Sequence, residues 1–129
     1  MVRVFTSNVG LTIKVGENAT ENQQLCRQAR QKDLWFHLEN SPSPHAILEV
    51  GNGSDSDVKA SLRDGALLVK HFSKKRDLPR ATVIYINAKF VSKDGAEDKM
   101  GSVSLKKAPN KINVSDDEAL LNQLLQNKK

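Results

Sequence analysis

Between Asp33 and Val50 the residues alternate in a way that fits two paired strands and little else. In Asp33-Leu34-Trp35-Phe36-His37-Leu38, successive side chains of an extended chain point to opposite faces, so Leu34, Phe36 and Leu38 share one face and Asp33, Trp35 and His37 the other. The first set is a core face. The second sets a flat aromatic between an acid and an imidazole, a mix that suits a binding platform better than a core lining. After a turn come Pro42-Ser43-Pro44-His45 and the apolar run Ala46 to Val50. Pairing His37 with His45 puts Trp35 opposite Ile47, Asp33 opposite Glu49, Phe36 opposite Ala46 and Leu34 opposite Leu48, which keeps the core face wholly apolar. Pro44 bars Ser43 from helical angles, so the connecting loop is expected to be stiff.

The remaining elements follow from the same kind of pattern. Val2 to Phe5 and Leu11 to Val15 read as a hairpin, its first run an edge strand. Asn18 is placed to cap a helix, with Glu21 three residues on as in a capping box, and that helix runs to about Arg30. Its apolar positions are few (Ala19, Leu25, Cys26, Ala29), so it should bury a narrow stripe in which Cys26 is a small hydrophobe. Asp55 or Ser56 can cap a second helix running to about Ser73. At 100° per residue Val58, Leu62, Ala66, Val69 and Phe72 lie on one arc, and Lys59, Arg63, Lys70 and Lys74 within another of roughly 60°. Lys75 and Arg76 extend this basic stripe past the helix end, where cations also suit the helix dipole.

Strand character returns at Ala81 to Ile86, Lys89 to Val91, Ser102 to Leu105 and Ile112 to Val114. Ser115 or Asp116 can then start a last helix with Leu120, Leu121, Leu124 and Leu125 on its apolar side. The expected fold is α+β: a mostly antiparallel sheet with two main helices and a short C-terminal helix. Residues 1–115 form the domain, and 116–129 a helix or tail that either packs on it or opens a longer segment.

Composition narrows the function. A chain of 129 residues can bury one core without disulfides or metal. No apolar run approaches the roughly 20 residues of a membrane span, and Met1 to Ser7 has no signal-peptide character. The single cysteine excludes an internal disulfide and suits a reducing compartment, so a cytoplasmic protein is expected. A net charge of +5 favours polyanionic partners if the cations cluster. Catalysis is not expected, because no nucleophile elbow, phosphate loop or dinucleotide fingerprint is present. His37, His45, Asp33 and Glu49 are the only candidate metal ligands, and without an HExxH helix or paired cysteines neither a metal nor another cofactor is expected.

Binding chemistry remains. Single-stranded nucleic acid is held by cationic grooves and by aromatic faces on which bases stack. Trp35, His37 and His45 would supply the stacking or order the loop, and Lys59, Arg63, Lys70, Lys74, Lys75 and Arg76 the phosphate contacts; His71 reads as a surface residue. Two blander outcomes stay open: burial of Trp35 under a helix or terminal segment together with Ile47, and an ordinary solvated face for the cations.

Gly16-Glu17-Asn18-Ala19-Thr20-Glu21-Asn22, Asp33-Leu34-Trp35-Phe36-His37 and Pro42-Ser43-Pro44-His45 together resemble, in order and spacing, the signature of the NFACT-R domain. The likeness continues through Ala66 to Arg76 and on to Tyr85, Lys93, Gly95, Gly101 and Val103. The resemblance marks Gly16, Asn18, Asn22, Asp33, Pro42 and Tyr85 as motif positions. It implies an RNA-binding domain, found in large ribosome quality-control proteins that bind the large ribosomal subunit with tRNA, and also alone in small eukaryotic proteins, some with a coiled coil. This chain resembles the stand-alone type, without the other domains that the tailing of stalled chains requires. The implied partners are tRNA or rRNA and the ribosome. A protein-interaction adaptor with a basic surface, or a DNA-binding protein like some stand-alone relatives, are the alternatives. The family loop usually reads Pro-Gly-Ser-His, where Ser43 and Pro44 stand here; Ile84 and Ile86 replace an Asp and a Thr around Tyr85, and Met100 a proline before Gly101.

Overall fold

A computed structural model describes residues 1–92 and 104–126, without the side chain of Ser104. The loop from Lys93 to Gly101, including Met100, the motif position Val103 and the last residues 127–129 lie outside the described residues. The chain runs β1 (Arg3–Thr6), β2 (Thr12–Val15), α1 (Ala19–Gln28), β3 (Leu34–Leu38), β4 (Ala46–Glu49), α2 (Asp55–His71), β5 (Arg80–Asn87), a 3₁₀ turn (Ala88–Phe90), β6 (Val91–Ser92), β7 (Ser104–Leu105), β8 (Asn110–Ser115) and α3 (Glu118–Gln126). Six strands form one antiparallel sheet in the order β1-β2-β4-β3-β5-β8, and β6 pairs with β7. This is the α+β fold expected.

Alternation in β3 and β4 decides the register. Leu34 pairs with Leu48, Trp35 with Ile47 and Phe36 with Ala46, as the sequence pattern requires. Leu34, Phe36 and Leu38 join Phe5, Ile13, Val15 and Leu48 on the face that α2 covers, and Leu124 of α3 is fully buried against the same core. Gly65 lets α2 approach closely: a Cβ there would lie 3.0 Å from the Phe36 ring. The opposite face is apolar too, with Trp35, Ile47 and Ile86 packed under Leu25 and Cys26 of α1 and beside Val91. The sheet is thus covered on both sides, by α2 and α3 on one and by α1 and the β6–β7 pair on the other.

Helix starts are set by side-chain acceptors, with small shifts from expectation. Asn18 Oδ1 accepts the Glu21 N–H at 2.9 Å, while Glu21 reaches back to Glu17 N–H at 2.9 Å, one residue before the cap. The cap of α2 is Ser54, in a full capping box with Asp57, because Ser54 is the last extended residue before the turn closes. Asp117 caps α3 by accepting the Leu120 N–H at 3.0 Å; the expected starter Asp116 is drawn to Lys70 instead.

A buried carboxylate ties the β1–β2 turn to α2. Asp64, 1% exposed, accepts both the backbone N–H of Asn8 at 2.8 Å and its side-chain amide at 2.7 Å. Burial, partly offset by these bonds and by Arg63, raises its pKa above the usual value of 3.8. The folded state therefore holds this proton more tightly than the unfolded chain. Its contribution to stability is fully present below the unfolded pKa and is lost as pH rises through the folded one. Asp64→Asn should remove that part of the pH dependence in chemical-denaturation profiles and leave stability at neutral pH within about 1 kcal/mol of wild type or higher.

Candidate nucleic-acid interface

The expected base-stacking platform is an internal structure. Trp35 is 2% exposed and His45 1%, so neither offers a ring face to a base. The cause is α1: its narrow Leu25–Cys26 stripe needs an apolar partner, and Trp35, Ile47 and Ile86 provide one. The Trp35 indole N–H donates to His45 Nδ1 at 3.1 Å. Since indole can only donate, Nδ1 is bare and the neutral His45 ring carries its proton on Nε2. Cys26 Sγ lies 3.4 Å from the same nitrogen. Asp33, placed by the pattern beside Trp35, is buried as well; its carboxylate accepts the N–H groups of Arg30 and Val50 at 3.0 Å each, joining the end of α1 to the end of β4. Among the described residues, no buried side-chain polar atom lacks a partner.

The first motif segment clamps the backbone of His45. Asn22 Oδ1 accepts the His45 N–H at 3.1 Å, and Gly16 N–H donates to His45 O at 3.1 Å. Glycine is required at position 16 because a Cβ would lie 2.1 Å from Asn22 Oδ1. The Ser/Pro loop is fixed in turn: Ser43 Oγ accepts the Leu38 N–H at 3.0 Å and donates to Pro44 O at 2.9 Å. Asn40 enters it with φ 56°, a conformation asparagine tolerates better than most residues.

His37 is the part of this cluster that faces outward. Its ring stacks on Trp35 (centroids 5.5 Å apart, planes 9° apart) and meets His45 edge-on. Nδ1 donates to Leu38 O at 2.6 Å, which leaves Nε2 to meet a ligand. Burial lowers the His37 pKa, with the Leu38 bond opposing, so near neutral pH the ring is uncharged and Nε2 is an acceptor.

His37 opens onto a cleft of about 750 Å³. Gly16, Asn18 and Asn22 form one wall, the Pro42–Pro44 loop a second, and Phe72 to Lys74, just past α2, a third. Ile84 lines the cleft and pairs with His37 across β3 and β5. Arg3 also borders it, lying 4.2 Å over the Phe72 ring and 3.3 Å from Glu17. Arg3 carried no local signal and Phe72 only that of an apolar helix position, since the two are far apart in the sequence and meet only in the fold.

The basic stripe of α2 is divided. Lys74 is exposed and in the cleft. Lys70 is 1% exposed, with its ammonium on the Asp116 carboxylate and 3.0 Å from Arg76 O; it joins α2 to the start of α3 and is not a phosphate contact. Its place on the arc borders the apolar stripe, and the β8–α3 connection crosses over it. Arg63 pairs with Asp117 at 3.0 Å. Lys59 and Arg63 stand about 12–18 Å along the helix from its C-terminal end, away from the cleft. Lys75 is half-buried, and Arg76 lines a separate hollow of about 350 Å³ with Asp77, Asp116 and Asp117. His71 is half-buried, its ring edge-on to Phe72, and burial and the nearby Arg76, Arg3 and Lys70 lower its pKa. Tyr85 stacks on Phe36 on the α2 side of the sheet, away from His37.

Motif segments from four parts of the sequence therefore meet around one cleft, and residues 1–107 match the family described as the NFACT protein RNA binding domain. The chain belongs to that family. It is 30% identical over 94 residues to the Rqc2 homolog RqcH of Bacillus subtilis, a match covering 72% of this chain and 16% of RqcH. It is 36% identical over 78 residues to coiled-coil domain-containing protein 25 of Danio rerio, covering 57% of this chain and 38% of that one. The chain thus spans well under half the length of either relative. Among solved structures it resembles the C-terminal part of the fibronectin/fibrinogen-binding protein of Streptococcus suis, with a TM-score of 0.81 at 26% identity over 95% of this chain and 48% of the other. NFACT RNA-binding domains thus provide the frame for the cleft. Among the described residues no group of three or more His, Cys, Asp or Glu side chains could hold a metal, and no helix is long and apolar enough to cross a membrane.

Proposed function

We propose that this NFACT RNA-binding domain acts without catalysis, holding unpaired RNA in the cleft between the Pro42–Pro44 loop, the start of α1 and the end of α2. The observation that carries the proposal is the convergence of the motif segments on His37 and Lys74. His37 Nε2 would accept from a base edge and Lys74 would contact a phosphate; Trp35, His45, Asn22 and Gly16 hold the site in shape. The RNA would be tRNA or rRNA, in translation or ribosome quality control in the cytoplasm. The adaptor reading draws on the likeness to a protein whose name records fibronectin and fibrinogen binding.

The test is titration with single-stranded RNA, tRNA and duplex DNA at several salt concentrations. Binding should weaken with salt at a log–log slope of about −0.7 per phosphate contacted, and prefer RNA. His37→Ala should weaken it roughly 2- to 12-fold, the worth of one hydrogen bond. Lys74→Gln should flatten the slope by about 0.7. Lys70→Met should leave the slope unchanged. Preference for duplex DNA would move the reading to DNA binding, and no binding of any nucleic acid at low salt would favour the adaptor.

A further inference from the structure

On the α1 side of the sheet an aromatic ring sits among cations that the motif does not account for. Phe90 is half-exposed, with Lys89 Nζ 4.9 Å and Lys107 Nζ 4.6 Å from its ring centroid. Backbone contacts fix the cluster: Lys106 N–H donates to Phe90 O at 2.7 Å and Lys89 N–H to Gln31 O at 3.3 Å. Asn87 Nδ2 donates to Lys32 O at 3.2 Å, which draws in the turn carrying Arg30 and Lys32. All five cations, Arg30, Lys32, Lys89, Lys106 and Lys107, are exposed. Among the described residues the ion pairs include those of Arg3, Lys14, Arg63, Lys70 and Lys111, and none involves these five.

The cluster adjoins the cleft. Leu105 of β7 pairs with Val91 and lines the cleft, and Lys106 and Lys107 follow it directly. Like charges gathered with no acidic partner among the described residues repel one another, and a polyanion relieves that repulsion. A half-exposed ring among ammonium groups adds what single-stranded nucleic acid uses in particular, a face for a base beside charges for its phosphates. An acidic protein surface would satisfy the charges but does not require a stacking face beside them. We infer that this patch is a second contact surface for single-stranded RNA, with Phe90 stacking a base and Lys89, Lys106 and Lys107 taking phosphates as the strand leaves the cleft. The inference rests on the cleft being an RNA site.

The test uses fluorescence anisotropy with a labelled 20-nucleotide single-stranded RNA of mixed sequence. The triple variant Lys89→Gln, Lys106→Gln, Lys107→Gln should flatten the log–log salt slope by about 2, three contacts at 0.7 each. A charge-matched control, Lys14→Gln, Lys59→Gln, Lys111→Gln, should change it by less than about 0.5. Phe90→Leu, which keeps the packing, should weaken binding by roughly fivefold or more with the slope unchanged. Circular dichroism confirms that each variant is folded. If wild type binds and the patch triple behaves like the control, the surface is not an RNA contact, whatever His37→Ala and Lys74→Gln do in the cleft. Loss of binding to a poly-glutamate peptide with RNA binding intact would assign the patch to a protein partner and overturn the inference. Failure of wild-type protein to bind the RNA overturns the cleft reading and this one with it.

Discussion

Trp35→Ala should destabilise the domain by about 3–5 kcal/mol, the range for emptying a buried large aromatic. The sole tryptophan sits between α1 and the sheet, and its removal also leaves His45 Nδ1 without the indole donor. Any loss of RNA binding should then follow loss of fold. Trp35→Phe separates the roles: it keeps a ring and most of the volume but loses the N–H, and should cost about 1–3 kcal/mol while RNA affinity stays near wild type. Urea unfolding followed by circular dichroism gives the stability, and anisotropy on the folded fraction the affinity. Wild-type emission should be blue-shifted and insensitive to iodide, because the indole is 2% exposed. A Trp35→Ala protein with native stability would show that the packing around this residue is misassigned.

The second large effect is at Gly16. A methyl group there would lie 2.1 Å from Asn22 Oδ1 and 3.2 Å from Asn22 N, backbone that cannot simply rotate away. Forcing Asn22 aside removes the acceptor of the buried His45 N–H. An unmet buried donor costs about 1–3 kcal/mol and overpacking a similar amount, so Gly16→Ala should lose about 3 kcal/mol in all. Adding Asn22→Ala makes room for the methyl, and the double variant should lose at least about 1 kcal/mol less than the two single losses added together. Additive losses in urea unfolding would mean that the two residues do not share one contact.

The sequence made the local pairings legible and left the layers above them open. Period-two alternation in Leu34 to Leu38 sets the β3–β4 register, since a one-residue slip would carry Phe36 out of the core. It cannot tell which helix covers the second face. Ile47, Ile84 and Ile86 share that face with Trp35, an apolar set that is the sequence-level sign of a sheet covered on both sides. Lys70 is a different case. Its helical angle places it with Lys74, and its burial is created by Asp116, 46 residues on, for which no periodicity gives notice. The cleft is hidden for the same reason: its walls come from four segments, and only the sheet order brings them together.

The central claim is that RNA enters the cleft at His37 and Lys74 while Trp35 and His45 stay behind it. Nuclear magnetic resonance of isotopically labelled protein, titrated with single-stranded RNA, addresses this directly. The largest shifts should fall on the His37 ring and on the backbone amides of Ser41, Ser43 and Lys74, with the Trp35 indole N–H kept in its bond to His45. Shifts confined to Lys59, Arg63 and the outer face of α2, with the His37 ring unmoved, would contradict the account.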